Sequence, residues 1–113
     1  MKNMISYKVI ITPKALSQLD SYIAYVRYTL LNPQAAKSIW LDAMETQKQL
    51  KLSAGSLRLC ENPVLSELGY HPISFIHHNY VMLYRIDGST VYVEAIFHQQ
   101  QDYENTFSKT VNQ

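Results

Sequence analysis

At 113 residues, 47% hydrophobic, 12% aromatic and 17% charged, the chain has the makings of one packed core, which excludes a disordered binding tail and makes a single domain over 1–113 the expectation. A formal net charge of +1 excludes the strong overall field that draws a protein onto nucleic acid or an anionic membrane, so any such contact has to be local. Cys60 is alone and excludes an internal disulfide, no apolar run approaches the ~18 residues of a membrane span, and Met1-Lys2-Asn3-Met4 lacks the apolar stretch of a signal peptide, so a cytoplasmic protein with no membrane partner is expected.

Ile5 to Ile11 alternate, with Ile5, Tyr7, Val9 and Ile11 against Ser6, Lys8 and Ile10, which predicts a half-buried strand. Thr12-Pro13 ends it and begins a helix, because threonine caps well and proline is preset for the first helical position. Leu16, Leu19, Ile23, Val26 and Leu30 follow as an apolar stripe. Asn32-Pro33 repeats the start signal and predicts a second helix to about Leu52, burying Ala36, Ile39, Trp40, Ala43 and Leu50, with Gly55 near its end. The short join makes an antiparallel helical hairpin.

From Ser53 to Pro72 the periodicity is lost, and Gly55, Asn62, Pro63, Gly69 and Pro72 predict an irregular crossing. Ile73–His77, Tyr80–Ile86 and Thr90–Phe97 read as three antiparallel strands, with Asp87-Gly88 as the two-residue turn between the last pair. Gln101 to Lys109 is a short helix or a tail. The fold class is α+β: one strand, an antiparallel helical hairpin, a three-stranded antiparallel meander and that C-terminal segment.

With the turn at Asp87-Gly88, Ile86 opposes Ser89, Arg85 opposes Thr90, Tyr84 opposes Val91, Met82 opposes Val93 and Tyr80 opposes Ala95. Tyr80, Met82, Tyr84, Val91, Val93, Ala95 and Phe97 then form the seat for the helical hairpin, and Arg85, Tyr92, Glu94, Ile96 and His98 a mixed polar face. Arg85 and His98 stand roughly 26 Å apart along the strand and cannot share one reacting group. Two local groups follow: Arg85 with Tyr92 and Lys8, and His98 with His77, His78, Asp102 and Tyr103.

His98 with Asp102 four residues on suits an Asp-oriented imidazole acting as general acid or base; a half-exposed strand-end histidine is the plainer account. Arg85 and Tyr92 suit a phosphate and a stacked base, or an arginine capping carbonyls at a turn. Among nine tyrosines, Tyr22, Tyr25 and Tyr28 edge the first helix as a packing rim or partner surface. Lys48, Lys51 and Arg58 read as a solvated helix end. His77 and His78, adjacent in a strand, point to opposite faces, and no paired histidine spacing supports a metal. No phosphate-binding glycine loop or nucleophile elbow is present, and no cofactor is expected.

The order of elements, with Tyr84-Arg85-Ile86-Asp87-Gly88 leading to Ile96-Phe97-His98-Gln99-Gln100-Gln101-Asp102-Tyr103-Glu104, resembles the RelE/ParE toxins of bacterial toxin–antitoxin pairs. Tyr7-Lys8-Val9, Thr12-Pro13-Lys14-Ala15, Asn32-Pro33-Gln34-Ala35-Ala36 and Asn79-Tyr80 extend the resemblance over nearly the whole chain. It implies a growth-inhibiting toxin neutralised by a cognate antitoxin, with operator DNA contacted only through that antitoxin. RelE-like members cut mRNA on the ribosome, which would make this chain a ribosome-dependent endoribonuclease; ParE-like members inhibit DNA gyrase; an inactive member would retain antitoxin binding alone. By position the resemblance points to His98, Arg85 and Tyr103 as site residues. Many relatives carry an arginine after the glycine before the meander, where this chain has Gly69-Tyr70-His71, and another where it has Gln100 or Gln101. A histidine-using branch accommodates His71, His77 and His98, whereas the low net charge favours the ParE-like description.

Overall fold

Three cap–proline pairs set where helices begin. In the computed structural model, which describes residues 6–111, Thr12, Asn32 and Asn62 each turn a side-chain oxygen back on the turn that follows. They accept from Ala15 N (3.2 Å), Ala35 N (3.1 Å) and, for Asn62, both Val64 N (2.9 Å) and Leu65 N (3.2 Å). The resulting helices are α1 (Pro13–Ala24), α2 (Pro33–Ser53) and α3 (Pro63–Glu67), the last inside the stretch expected to be irregular. The C-terminal segment takes its helical option as α4 (Tyr103–Val111). α1 continues into a π turn, Tyr25–Thr29, and the chain reverses through Leu31, which sits at φ 55.

The strands β1 (Lys8–Ile11), β2 (His71–Ser74), β3 (Tyr80–Asp87) and β4 (Thr90–His98) form one sheet in the order β1-β4-β3-β2. β2, β3 and β4 are the expected meander, and β1 lies parallel to β4 with Lys8 beside Thr90 and Ile11 beside Val93. β1 is shorter than expected. Ile5 lies outside the described residues, and the Tyr7 N–H leaves the sheet to donate to Lys51 O at the end of α2 (2.8 Å). β2 lies earlier than expected and ends at Ser74, because Ile76 and His77 give their N–H groups to the Asp42 side chain of α2 instead of to a neighbouring strand.

The hairpin turns at Gly88-Ser89, one residue beyond the expected Asp87-Gly88, so that Asp87 pairs with Thr90 and Arg85 with Tyr92. Gly88 alone takes a positive φ, +63°, which suits a turn with glycine at its first central position and keeps Asp87 in extended backbone. Farther along, Tyr84 pairs with Val93 but Leu83 with Ala95, leaving Glu94 as a β-bulge. One extra residue moves every later β4 side chain to the other face. Ile96 therefore joins Met82 and Tyr84 beneath the helical hairpin, while Ala95 and Phe97, expected there, join Val81 and Leu83 on the far side. Gln18 of α1 accepts from the Ile96 N–H (3.0 Å) beside the bulge.

The sheet thus carries a core on each face. Leu19, Val26, Ile39, Ala43 and Leu50 of the helical hairpin pack on Val9, Met82, Tyr84, Val91, Val93 and Ile96. Leu65 of α3 and Phe107 of α4, with Cys60 and Tyr70, pack on Val81, Leu83, Ala95 and Phe97, which replaces half of the expected polar face with core. Leu16, Leu30 and Trp40 are 36%, 56% and 39% exposed rather than buried, and α2 instead buries Asp42 and Thr46.

Candidate functional site

Arg85 stands opposite Tyr92 near the hairpin tip, its guanidinium 4.6 Å from the tyrosine ring centre. The bulge aims Glu94 at the same place, where its Oε2 accepts from Arg85 Nε while its Oε1 accepts from the Tyr70 hydroxyl (2.9 Å). The Glu94 hydrogen bond outweighs burial and raises the Arg85 guanidinium further above its ordinary value. Burial first, and then Glu94, push the Tyr70 hydroxyl up to about 12. Tyr70 therefore completes an internal arginine–glutamate–tyrosine chain.

His98 ends β4 opposite Tyr80 and meets its ring edge-on at 5.2 Å, on the helical-hairpin face of the sheet. Its Nδ1 accepts from the Gln100 N–H (3.1 Å), which puts the proton of the neutral ring on Nε2. Gln101 Oε1 clamps this corner by accepting from both the His98 N–H (2.9 Å) and the Tyr22 hydroxyl (3.0 Å). Asp102, expected to orient His98, turns its carboxylate to Asn105 Nδ2 (3.2 and 3.1 Å) and uses its carbonyl to open α4. Tyr103 packs on the opposite side of the sheet against the core of Cys60 and Phe107, where burial and then Glu104 raise its hydroxyl above the ordinary value.

His98 is consequently apart from both other candidates, since Arg85 and Tyr103 lie on the opposite side of the sheet from it. Tyr92 and His98 are six positions apart on β4, roughly 20 Å at a strand's rise, and Arg85 and His98 sit on opposite faces rather than sharing the one expected polar face. His77 and His78, expected beside His98, lie in the loop before β3 and contact α2: His78 Nδ1 is 2.8 Å from Asp42 Oδ2 and His77 Nε2 is 3.7 Å from Glu45 Oε2. His71 stacks flat on Tyr84 at 5.0 Å, its Nδ1 3.0 Å from both Leu57 O and Arg58 O.

Sequence reasoning passed over Asp42, Tyr70 and Gln101. Asp42 had a signal: positions 36, 39, 43, 46 and 50 trace the buried stripe of α2, and 42 falls within it. Tyr70 and Gln101 had none, since their partners come from distant segments brought together by the bulge and the β4–α4 corner.

A family model described as the ParE toxin of the type II toxin–antitoxin system parDE matches residues 9–103. The chain belongs to the ParE toxin family. Its match to this family takes in the core under the helical hairpin, all of the buried second core but Phe107, the bulged hairpin, Arg85 and His98. The fold of this ParE-family chain is similar to that of a structure of the chromosomal ParDE toxin–antitoxin system from P. aeruginosa, with TM-score 0.69, 21% identity, and coverage of 82% of this chain and 96% of that one. It is also similar to a chain of the RelBE2 toxin–antitoxin complex from Mycobacterium tuberculosis, with TM-score 0.57, 19% identity, and coverage of 89% and 100%. No curated protein matches the chain in sequence. Among the described residues no helix is long and apolar enough to cross a membrane.

Proposed function

We propose that this toxin arrests growth in the cytoplasm by binding DNA gyrase rather than by cutting RNA, and that a cognate antitoxin holds it inactive. The observation that carries the reading is the engagement of Arg85 by Glu94 on the face of the sheet away from His98. Cleavage through a ribose 2′-OH asks for a base, an acid and a cation on the phosphate, all within reach of one scissile group. Here the strand arginine is already paired with a carboxylate, and His98, at the far end of β4, has its Nδ1 taken by the Gln100 N–H while the Asp102 carboxylate turns to Asn105. The net charge of +1 supports the same reading, because gripping ribosomal and messenger RNA is a matter of many phosphate contacts, and it supports contact with operator DNA only through the antitoxin.

The antitoxin rests on the family and on the two complexes that share the fold. It is also supported by the apolar surface of the helical hairpin, where Tyr25, Tyr28, Leu30, Leu31 and Trp40 are between 39% and 78% exposed.

Induction of the chain alone, with DNA synthesis and translation followed separately, tests the reading. DNA synthesis falls first, translation continues, and co-expression of the neighbouring antitoxin gene restores growth. Early arrest of translation with fragmented mRNA would replace it with a ribosome-dependent endoribonuclease using His98. Unimpaired growth would leave a member that only binds its antitoxin.

A further inference from the structure

α2 and the loop before β3 meet in a group of side chains that the growth-arrest reading does not use. Asp42 and Glu45 are three residues apart on α2, so their carboxylates leave the same side of the helix one turn apart. Asp42 is 2% exposed and shapes the loop, its Oδ2 accepting from the His77 N–H (2.9 Å) and facing His78 Nδ1 (2.8 Å). Its Oδ1 accepts one hydrogen bond, from the Ile76 N–H (3.1 Å), and keeps a second lone pair. The loop so held brings His77 Nε2 to 3.7 Å from Glu45 Oε2. One donor atom from each of Asp42, Glu45 and His77 lies within 4.8 Å of the other two, the only such trio among the described residues. The expectation against a metal assumed that His77 and His78 alternate along a strand. β2 ends at Ser74, and both histidines turn toward α2.

We propose that Asp42, Glu45 and His77 bind a divalent cation of the zinc class, with water completing its coordination and His78 holding Asp42 in orientation. Two donor atoms on one tetrahedral zinc, each ~2.1 Å from it, stand about 3.4 Å apart. The 3.7 Å between His77 and Glu45 is near that spacing and longer than a direct hydrogen bond between them. Closing on an ion moves only exposed side chains, since His77 and Glu45 are 64% and 56% exposed while Asp42 is the fixed member. Two carboxylates balance a divalent charge, and the imidazole selects zinc-like ions over magnesium or calcium, which prefer oxygen alone. The hydrogen bond between His78 and Asp42 is the kind of outer contact that orients a ligating carboxylate. Because its ligands come from α2 and from the loop before β3, the ion ties two elements together and favours the folded chain.

The test uses the full chain without a metal-binding tag, titrated with Zn²⁺ alone by calorimetry and with Co²⁺ as an absorption probe. One ion binds per chain, saturating Zn²⁺ raises the melting temperature, and His98→Ala binds as the unaltered protein does. His77→Ala and Glu45→Gln each weaken binding by about tenfold or more and reduce the thermal shift at the same Zn²⁺ concentration. Both variants melt within about 2 °C of the parent in chelator, as expected for exposed side chains. Absence of saturable binding below ~1 mM, or undiminished affinity in either variant, overturns the site.

Discussion

Replacing Asp42 with alanine removes the acceptor of three donors at once: the N–H groups of Ile76 and His77 and the ring of His78. Hydrogen bonds to a charged group contribute about 1.5–3 kcal/mol each, and the low end applies here because water reaches the loop and recovers part of the loss. About 3 kcal/mol is expected in total after that recovery. At about 4 °C per kcal/mol for a domain of this size, the variant melts about 12 °C below the parent in chelator at pH 7. The acid limb gives an independent check. Burial works against the charged form of Asp42, but the hydrogen bonds from His78, His77 and Ile76 outweigh it and hold the carboxyl below its ordinary value. A depressed folded value means that the contribution is complete above the unfolded value of about 3.9 and disappears as pH falls through the folded one. The gap between the two proteins is therefore wide above ~pH 4 and closes in stronger acid. A loss under ~1 kcal/mol, or a gap that widens on acidification, would refute the reasoning.

Three further outcomes follow from other contacts. A Cβ at Gly55 would stand 2.5 Å from the Tyr7 hydroxyl oxygen, so Gly55→Ala destabilises by about 1–3 kcal/mol in denaturant melts and Tyr7→Phe in the same chain restores much of it. A double-mutant cycle between Arg85→Ala and Glu94→Ala gives a coupling of about 1 kcal/mol, above the usual surface pair, because Glu94 is 24% exposed and also holds Tyr70; additive losses would count against the internal chain. His98→Ala leaves growth arrest on induction intact at matched protein levels, whereas a catalytic His98 would make the variant harmless.

What could be read in advance was local chemistry. Thr12-Pro13 and Asn32-Pro33 announce helix starts through a side-chain acceptor and a preset φ, both properties of adjacent residues. Asn62-Pro63 carries the same signal, and it was hidden by the breakers around it, since a helix of five residues offers no periodicity to support it. The hairpin was legible but its register was not. Asp-Gly and Gly-Ser are both acceptable turn pairs, and only the pairing of β3 with β4 decides between them. The bulge was hidden for a related reason: Ala95, Ile96 and Phe97 are all apolar, so alternation says nothing about which of them faces the helical hairpin. That uncertainty reached the candidate site directly. An unbroken ladder puts Arg85 and His98 on one polar face, and the single extra residue at Glu94 separates them and supplies Arg85 with its partner.

The most direct test of the central claim is the effect of the purified chain on DNA supercoiling by gyrase, alone and with its antitoxin. Inhibition that appears with the free toxin, persists in His98→Ala and is relieved by the antitoxin is the predicted result. Full gyrase activity in the presence of excess toxin, together with mRNA cleavage on translating ribosomes that His98→Ala abolishes, would contradict it.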